Sequence, residues 1–276
     1  MTERTVEDMA SPAADAAPER GAAPEIAIAV EAVDKVYSTN KGDVVALAGA
    51  SMEVERHSFV SLVGPSGCGK STLLKIIGGL LSRNAGSVKV NGEEVVGPSR
   101  DIGMMFQTPT LFPWRTVLEN VMLPVEIFGR SKKEYLPKAR EVIDLVGLSE
   151  FEGCYPRELS GGMQQRVALS RVLIFEPHFL LMDEPFGALD EFNRERLNLE
   201  ILRVWTEIGQ TILFVTHNIM EAVFLSDRLY VMSCAPGRVV GIADVPLPRP
   251  RTFASMHEPL FADKVYEVRE LLGVAR

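Results

Sequence analysis

The residues Gly64-Pro65-Ser66-Gly67-Cys68-Gly69-Lys70-Ser71, with Thr72 behind them, fit the spacing G-x-x-x-x-G-K-[ST]. Glycines at those places let backbone amides turn inward at a helix N-terminus, where amides and dipole together attract phosphate. Lys70 adds a positive charge for the β/γ oxygens, and Ser71 offers a hydroxyl to Mg²⁺. A dinucleotide-type glycine pattern fails, because Gly67-Cys68-Gly69-Lys70-Ser71-Thr72 has threonine where its third glycine belongs. A second chemical element is Asp183-Glu184, which ends the apolar run Phe179-Leu180-Leu181-Met182. Such carboxylates lie at the C-terminal edge of a buried strand, where open α/β sheets bind ligands. Asp183 suits Mg²⁺, directly or through water, and Glu184 can polarise an attacking water; alone, the pair could equally cap the next helix. In Leu159-Ser160-Gly161-Gly162-Met163-Gln164 a hydroxyl and two glycines precede a helical pattern. That is either an ordinary N-cap or a second anion-binding helix start. One nucleotide needs one such cradle in its own subunit, so the second predicts a phosphate donated by a neighbouring copy.

Positioning these groups requires strands that end, and helices that begin, at the right places. Apolar residues alternate or cluster from Ile26 to Val63, which predicts a β-rich front portion. The glycine-rich turn then leads into a helical face made by Leu73, Leu74, Ile76, Ile77 and Leu80. Between about 108 and 171 a mainly helical insert is expected, with capping boxes at Thr116-Val117-Leu118-Glu119 and Ser131-Lys132-Lys133-Glu134. Pro137 is expected in the first turns of the second helix or at a bend, with Gly147 ending it. Strand-like runs return at Phe179 to Met182, Ile212 to Val215 and Leu229 to Met232, separated by polar helical stretches. The alternation predicts an α/β fold with a largely parallel sheet.

The chain has 276 residues, 46% hydrophobic and 24% charged, the composition of an ordinary globular protein. Its 29 basic against 37 acidic residues give a net charge of -8, which disfavours nucleic acid as a partner. No apolar run approaches the roughly 18 to 20 residues of a membrane-spanning helix, so membrane work needs another chain. The three cysteines, Cys68, Cys154 and Cys234, lack metal-ligand spacing, and a reducing cytoplasm is the simplest home. Residues 1–25, rich in Ala, Pro and acidic side chains, read as a disordered tail.

In order and spacing these motifs resemble the ATP-binding subunit of an ATP-binding cassette (ABC) transporter, over about residues 26 to 235. Leu159 to Gln164 is similar to the family's LSGGQ-type motif, with Met163-Gln164 in place of its single glutamine. By the same comparison Gln107 resembles the lid glutamine that senses Mg²⁺ and the γ-phosphate, and Ala188-Leu189-Asp190 the D-loop. His217 resembles the switch histidine and Tyr37 the aromatic residue that stacks on adenine. The resemblance implies a P-loop NTPase (ABC ATPase) core with an N-terminal antiparallel β part and the inserted α-helical subdomain. It places the cassette at 26–246 and a C-terminal extension at 247–276. It implies catalytic roles for Glu184, His217 and Gln107, and Mg²⁺ contacts for Ser71, Gln107 and Asp183. ATP would be held by Tyr37, by Gly64 to Thr72, and by Ser160, Gly161, Gly162, Gln164 and Asp190 across a homodimer.

Within the family, the stretches Phe112 to Val121, Asp183 to Asp190 and Pro236-Gly237-Arg238 resemble the nitrate, sulfonate and taurine import ATPases. Integral membrane permease subunits, an external solute-binding protein and a place at the cytoplasmic face of the membrane are then implied. A non-transport ABC ATPase acting on nucleic acid is disfavoured by the acidic balance, the single cassette and the lack of a long coiled-coil insertion. An ATP sensor without hydrolysis is disfavoured by intact Glu184 and His217. Asn218 departs from the aspartate many relatives carry after the histidine, which leaves the local hydrogen bonding open. Cys68 is either a packing residue or, from its place in the loop, a thiol of lowered pKa. Phe112 and Trp114 either pack the insert onto the main domain or anchor a helix of a membrane subunit. No role falls to His57, His178 or His257.

Overall fold

Alternating burial along the first two strands follows directly from their apolar pattern. In β1 (Ile26–Thr39) Ile28, Val30 and Val33 are buried, and in β2 (Gly42–Glu55) so are Leu47, Ala50, Met52 and Val54. These strands pair antiparallel, and β4 (Ala85–Val90) and β5 (Glu93–Glu94) extend the sheet in the order β2-β1-β4-β5. The computed structural model describes residues 25–274 except 41, 188 and 235, so the expected tail lies outside the described residues apart from Glu25.

A second sheet contains β3 (Phe59–Val63), β6 (Ile102–Met105), β7 (Phe179–Asp183), β8 (Thr211–Thr216), β9 (Arg228–Ser233) and β10 (Arg238–Asp244). Their order is β10-β9-β3-β8-β7-β6, parallel throughout except for β10 against β9. Every residue of β3, β7 and β8 is buried, as continuous apolar runs demand when a parallel sheet is covered on both faces. One apolar core joins this sheet to the antiparallel sheet and α1 (Lys70–Ile77) through Leu47, Val60, Leu73, Phe179 and Tyr230. The other lies on the opposite face, where Phe59, Phe186 and Phe214 meet α5 (Gly161–Leu173), α6 (Glu191–Ile208), α7 (Ile219–Leu225) and α8 (Pro259–Leu271).

The helical insert forms between β6 and β7, from α2 (Val117–Val121), α3 (Leu123–Ile127), α4 (Lys132–Leu145) and α5. Thr116 makes a complete capping box with Glu119, while Ser131 forms the serine half, accepting the Glu134 N–H at 3.4 Å. Pro137 lies inside α4, and Gly147, with φ +67°, follows its C-cap. Fully buried Asn120 staples the entry loop: its Oδ1 accepts the Phe112 N–H and its amide donates to the carbonyls of Phe112, Arg115 and Thr116.

Residues beyond 246 are packed against the body through Leu247, Phe261, Val265 and Val268. The buried Arg251 guanidinium donates to the carbonyls of Val223, Phe224 and Ser226 at the end of α7, and burial pushes it down to about 10. Arg249 stacks 4.1 Å over the Trp205 ring and pairs with Asp227 at 2.7 Å.

Candidate functional site

The loop from Gly64 to Gly69 joins the end of β3 to α1. Gly69 caps that helix in a left-handed conformation (φ +96°, ψ 4°) with no side chain bonded to the first-turn amides, leaving those donors for an anion. A Cβ on Gly69 would lie 2.8 Å from the Ala46 carbonyl, so both conformation and space require glycine. Lys70 is 4% exposed. Its Nζ donates to the carbonyls of Gly64 at 2.8 Å and Pro65 at 3.0 Å and lies 3.6 Å from Glu184 Oε1. Ser71 Oγ donates to Asp183 Oδ1 at 2.6 Å, joining the helix start to the end of β7.

Glu184 adopts φ +46°, left-handed backbone that costs on the order of 1 kcal/mol for a residue with a Cβ. Its N–H donates to the Val215 carbonyl at 2.9 Å and its own carbonyl accepts the Gly187 N–H at 3.0 Å, which holds that conformation. The result is a carboxylate with Oε2 at 2.9 Å from His217 Nδ1, at the end of β8. Gln107, in the loop after β6, meets it over Gly187: a Cβ there would lie 3.2 Å from Gln107 Nε2 and 3.5 Å from Glu184 Oε2. Lys70, Ser71, Asp183, Glu184, His217 and Gln107 therefore converge at the C-terminal ends of adjacent parallel strands. Tyr37 is 38% exposed, with its hydroxyl 3.3 Å from Thr72 Oγ1 and Lys35 Nζ 5.3 Å from the ring centre.

Ser160, Gly161, Gly162, Gln164 and Asp190 are placed differently. Ser160 Oγ caps α5 by accepting the Met163 N–H at 3.3 Å. Gln164 turns its amide onto the carbonyls of Pro156 and Leu159, bracing the turn that presents Ser160. Asp190 caps α6 by accepting the Asn193 N–H at 3.0 Å, and its bonds to Asn193 hold its carboxyl below the ordinary value. No hydrogen bond or ion pair among the described residues joins Ser160–Gly162 to Gly64–Thr72. Ala188 lies outside the described residues.

One expectation is corrected. Cys68 is 1% exposed, and burial pushes its thiol up, outweighing the opposing charge of Lys70. Of its two sequence readings, packing is the one the structure supports. Asn218 is resolved as well: its Oδ1 caps α7 by accepting the Glu221 N–H at 3.1 Å, a bond an aspartate would make equally.

A family profile described as ABC transporter matches residues 47–187. The nitrate import ATP-binding protein NrtD of Synechocystis is 44% identical over 87% of this chain and 92% of its own length. An aliphatic sulfonates import ATP-binding protein, SsuB of Bacillus cereus, is 43% identical over 82% of this chain and 88% of its own. This chain belongs to the ABC transporter family. It has the cassette fold of that family and is an ATPase. The dimeric structure of the bacterial ABC transporter cassette MJ0796 superposes with a TM-score of 0.70 at 33% identity, covering 82% of this chain and 100% of that one. A second dimeric structure of the same cassette, in a post-hydrolysis state bound to ADP and Pi, gives 0.69 at 33% identity, with the same coverage of both chains.

The Ser71 hydroxyl and Asp183 carboxylate, 2.6 Å apart, form a hard-oxygen pair of the kind Mg²⁺ takes when most other ligands are phosphate and water. Among the described residues no cluster of three or more His, Cys, Asp or Glu could hold a metal ion. Three supporting residues of the ABC site carried no assigned role in the sequence reading. Gln165, 2% exposed, donates to the Gln107 carbonyl at 2.7 Å. Gly237 exchanges backbone bonds with Ala46 and Ala48, and its Cα is packed on the Cys68 carbonyl. Asn120 fixes the loop leading from Gln107 to the insert. Gln165 lies next to a recognised motif, and Asn120 and Gly237 lie inside family-like stretches, but each acts through backbone groups, which gave no signal of its role.

Proposed function

We propose that this ATPase is the energy-supplying subunit of an importer for a small solute such as nitrate, a sulfonate or taurine. The observation that carries this reading is the Glu184–His217 contact at 2.9 Å beside Lys70 and the Ser71–Asp183 pair. Amides at the start of α1 and the Lys70 ammonium hold the β- and γ-phosphates, while Tyr37 takes the adenine ring on its open face. Ser71 and Asp183, with Gln107, would hold Mg²⁺, which supplies neutralisation of phosphate charge. Glu184 Oε2 accepts a proton from the water that attacks the γ-phosphorus, and ADP leaves with the electron pair of the broken bond. His217, bonded to the same oxygen, keeps the carboxylate aimed at that water.

Ser160 to Gly162 and Asp190 complete the site of a second copy, giving two sites in a symmetric dimer. The dimeric MJ0796 structures support this arrangement. Among the described residues no helix is long and apolar enough to cross a membrane. Solute passage therefore falls to separate membrane subunits, with an external solute-binding protein delivering cargo and this chain at the cytoplasmic face. The import relatives support that assignment. Trp114, 68% exposed and in tilted ring contact with Phe112 at 5.1 Å, is the residue we assign to anchoring a membrane-subunit helix.

The test is purification of the chain with its natural partners, with Glu184→Gln and Trp114→Ala alongside. Glu184→Gln is expected to bind ATP, lose hydrolysis and accumulate as an ATP-bound dimer in light scattering. Trp114→Ala is expected to hydrolyse ATP and to lose assembly with integral membrane chains. Full hydrolysis by Glu184→Gln removes the catalytic assignment, and recovery of nucleic acid instead of membrane proteins removes the transport assignment.

A further inference from the structure

Behind His217 lies a carboxyl that the mechanism above does not use. Glu221 of α7 is 6% exposed, and its Oε2 accepts the Thr216 hydroxyl at 2.5 Å. Thr216 Oγ1 in turn accepts the Asn218 N–H at 3.0 Å, and Asn218 Oδ1 accepts the Glu221 N–H at 3.1 Å. These three bonds close a ring around the backbone of His217, the residue between Thr216 and Asn218, and so fix the origin of the imidazole that reaches Glu184.

The other side of the same carboxyl faces α6. Glu221 Oε1 is buried with no hydrogen-bond partner, and so is Oδ1 of Asn198, a residue 3% exposed whose side chain lies against the Glu221 carboxyl. A buried carboxyl oxygen without a partner is costly, and Asn198 of α6 is the polar side chain set beside this one. The charged groups near this carboxyl are Arg194 of α6 and His217. Arg194 is committed elsewhere, donating to the carbonyls of Leu189 at 2.8 Å and Phe186 at 3.4 Å. Burial pushes the Glu221 carboxyl up, against Thr216 and Asn198, whose hydrogen-bond donors favour its charged form.

We propose that Glu221 is a positioning residue for hydrolysis: its buried carboxyl, spanning Thr216 and Asn198, holds His217 against Glu184 and ties that contact to α6. Because α6 is capped by Asp190 and carries Arg194, the same helix also holds Phe186 and Leu189 through their carbonyls. The inference rests on the hydrolytic reading of Glu184 and His217 given above.

The test compares kcat and ATP affinity in the full chain for Glu221→Leu, Glu221→Gln, Thr216→Val, Thr216→Ser and His217→Ala. Glu221→Leu removes the Thr216 bond and is expected to lower kcat about tenfold or more while ATP affinity stays within about twofold, the mark of a misplaced group rather than a lost binding contact. Glu221→Gln keeps an acceptor for the Thr216 hydroxyl in the same place, and is expected to keep most of the wild-type kcat. A Gln variant as slow as Leu would show that the Thr216 bond does not carry the effect, and would overturn the proposal. Should Glu221→Leu fail to fold, Thr216→Val decides: it is expected to lower kcat severalfold with Thr216→Ser restoring it, and an unchanged kcat for Val overturns the proposal. His217→Ala separates the two readings. Wild-type hydrolysis by that variant removes the role of His217 itself, whereas an inactive His217→Ala beside a fully active Glu221→Leu removes only the positioning role.

Discussion

The Gly64–Thr72 loop and the Ser160–Gly162 turn are both glycine-bearing helix starts, yet they are built for different states of completion. The first is closed upon its own chain. Lys70 bonds two loop carbonyls and approaches Glu184, Ser71 bonds Asp183, and Cys68 is sealed into the core. The second has Ser160 capping its own helix, Gln164 bracing the turn from behind, and no hydrogen bond or ion pair among the described residues to the Gly64–Thr72 loop. One half-site is organised by the parallel sheet beneath it, the other is mounted on a helical insert and offered outward. The difference is the one that the proposed two-copy site requires.

The strongest way to break that comparison is a mixing experiment. Lys70→Ala and Ser160→Arg are each expected to lose at least about a hundredfold of ATPase activity when pure. Mixed in equal amounts, half of the dimers pair one of each, and each such dimer has one intact site, so up to about a quarter of wild-type activity returns. No recovery on mixing, with subunit exchange verified by a tagged copy, would mean that each chain completes its own site.

A smaller effect concerns the mounting of the outward half. Asn120→Ala strips four hydrogen bonds from buried backbone and is expected to cost about 2 to 4 kcal/mol, read as a lower urea midpoint. Nucleotide binding to the phosphate loop of the folded variant is expected to be unchanged in a fluorescent-nucleotide titration. Loss of binding in the folded variant would show that the two halves are not mechanically separate.

The smallest effect tests how closed the loop half is. Cys68, buried and with its thiol pushed up, is expected to be alkylated by iodoacetamide after Cys234 and Cys154, and to begin reacting only at a pH above the ordinary thiol range. Peptide mapping gives the order. If Cys68 reacts first near neutral pH, its burial is not the state in solution.

Much of this was legible in the sequence for a physical reason: elements that depend on local pattern announce themselves. A buried run of five residues, four of them apolar, followed by glycines and a lysine can form little but a strand, a turn and a helix start, and Phe179 to Glu184 delivers its carboxylates to the sheet edge just as directly. The helical insert was visible from Thr116 and Ser131 through their caps. Groups that act through tertiary contact were not. Gln165 stands next to a recognised motif but works on a carbonyl 58 positions away, and Cys68 was given two readings because loop position and burial predict opposite shifts. Burial is a property of what comes to cover a residue, and the covering segment here is the distant turn around Gly237.

That turn has a practical consequence for anyone who wishes to label or extend the protein. The hairpin between β9 and β10 carries exposed Cys234 and looks like the kind of surface tip that accepts inserted sequence without complaint. Yet Gly237 receives and donates backbone bonds with the end of the Tyr37-bearing sheet, rests its Cα on the Cys68 carbonyl, and shares an isolated bridge with Leu47. It is a keystone: the antiparallel sheet, the parallel sheet and the phosphate loop all lean on one atom that has no side chain. A fluorophore or epitope spliced beside it would report faithfully on nucleotide only by disturbing the grip it was meant to observe, so reporters belong on the far edge, beyond β5.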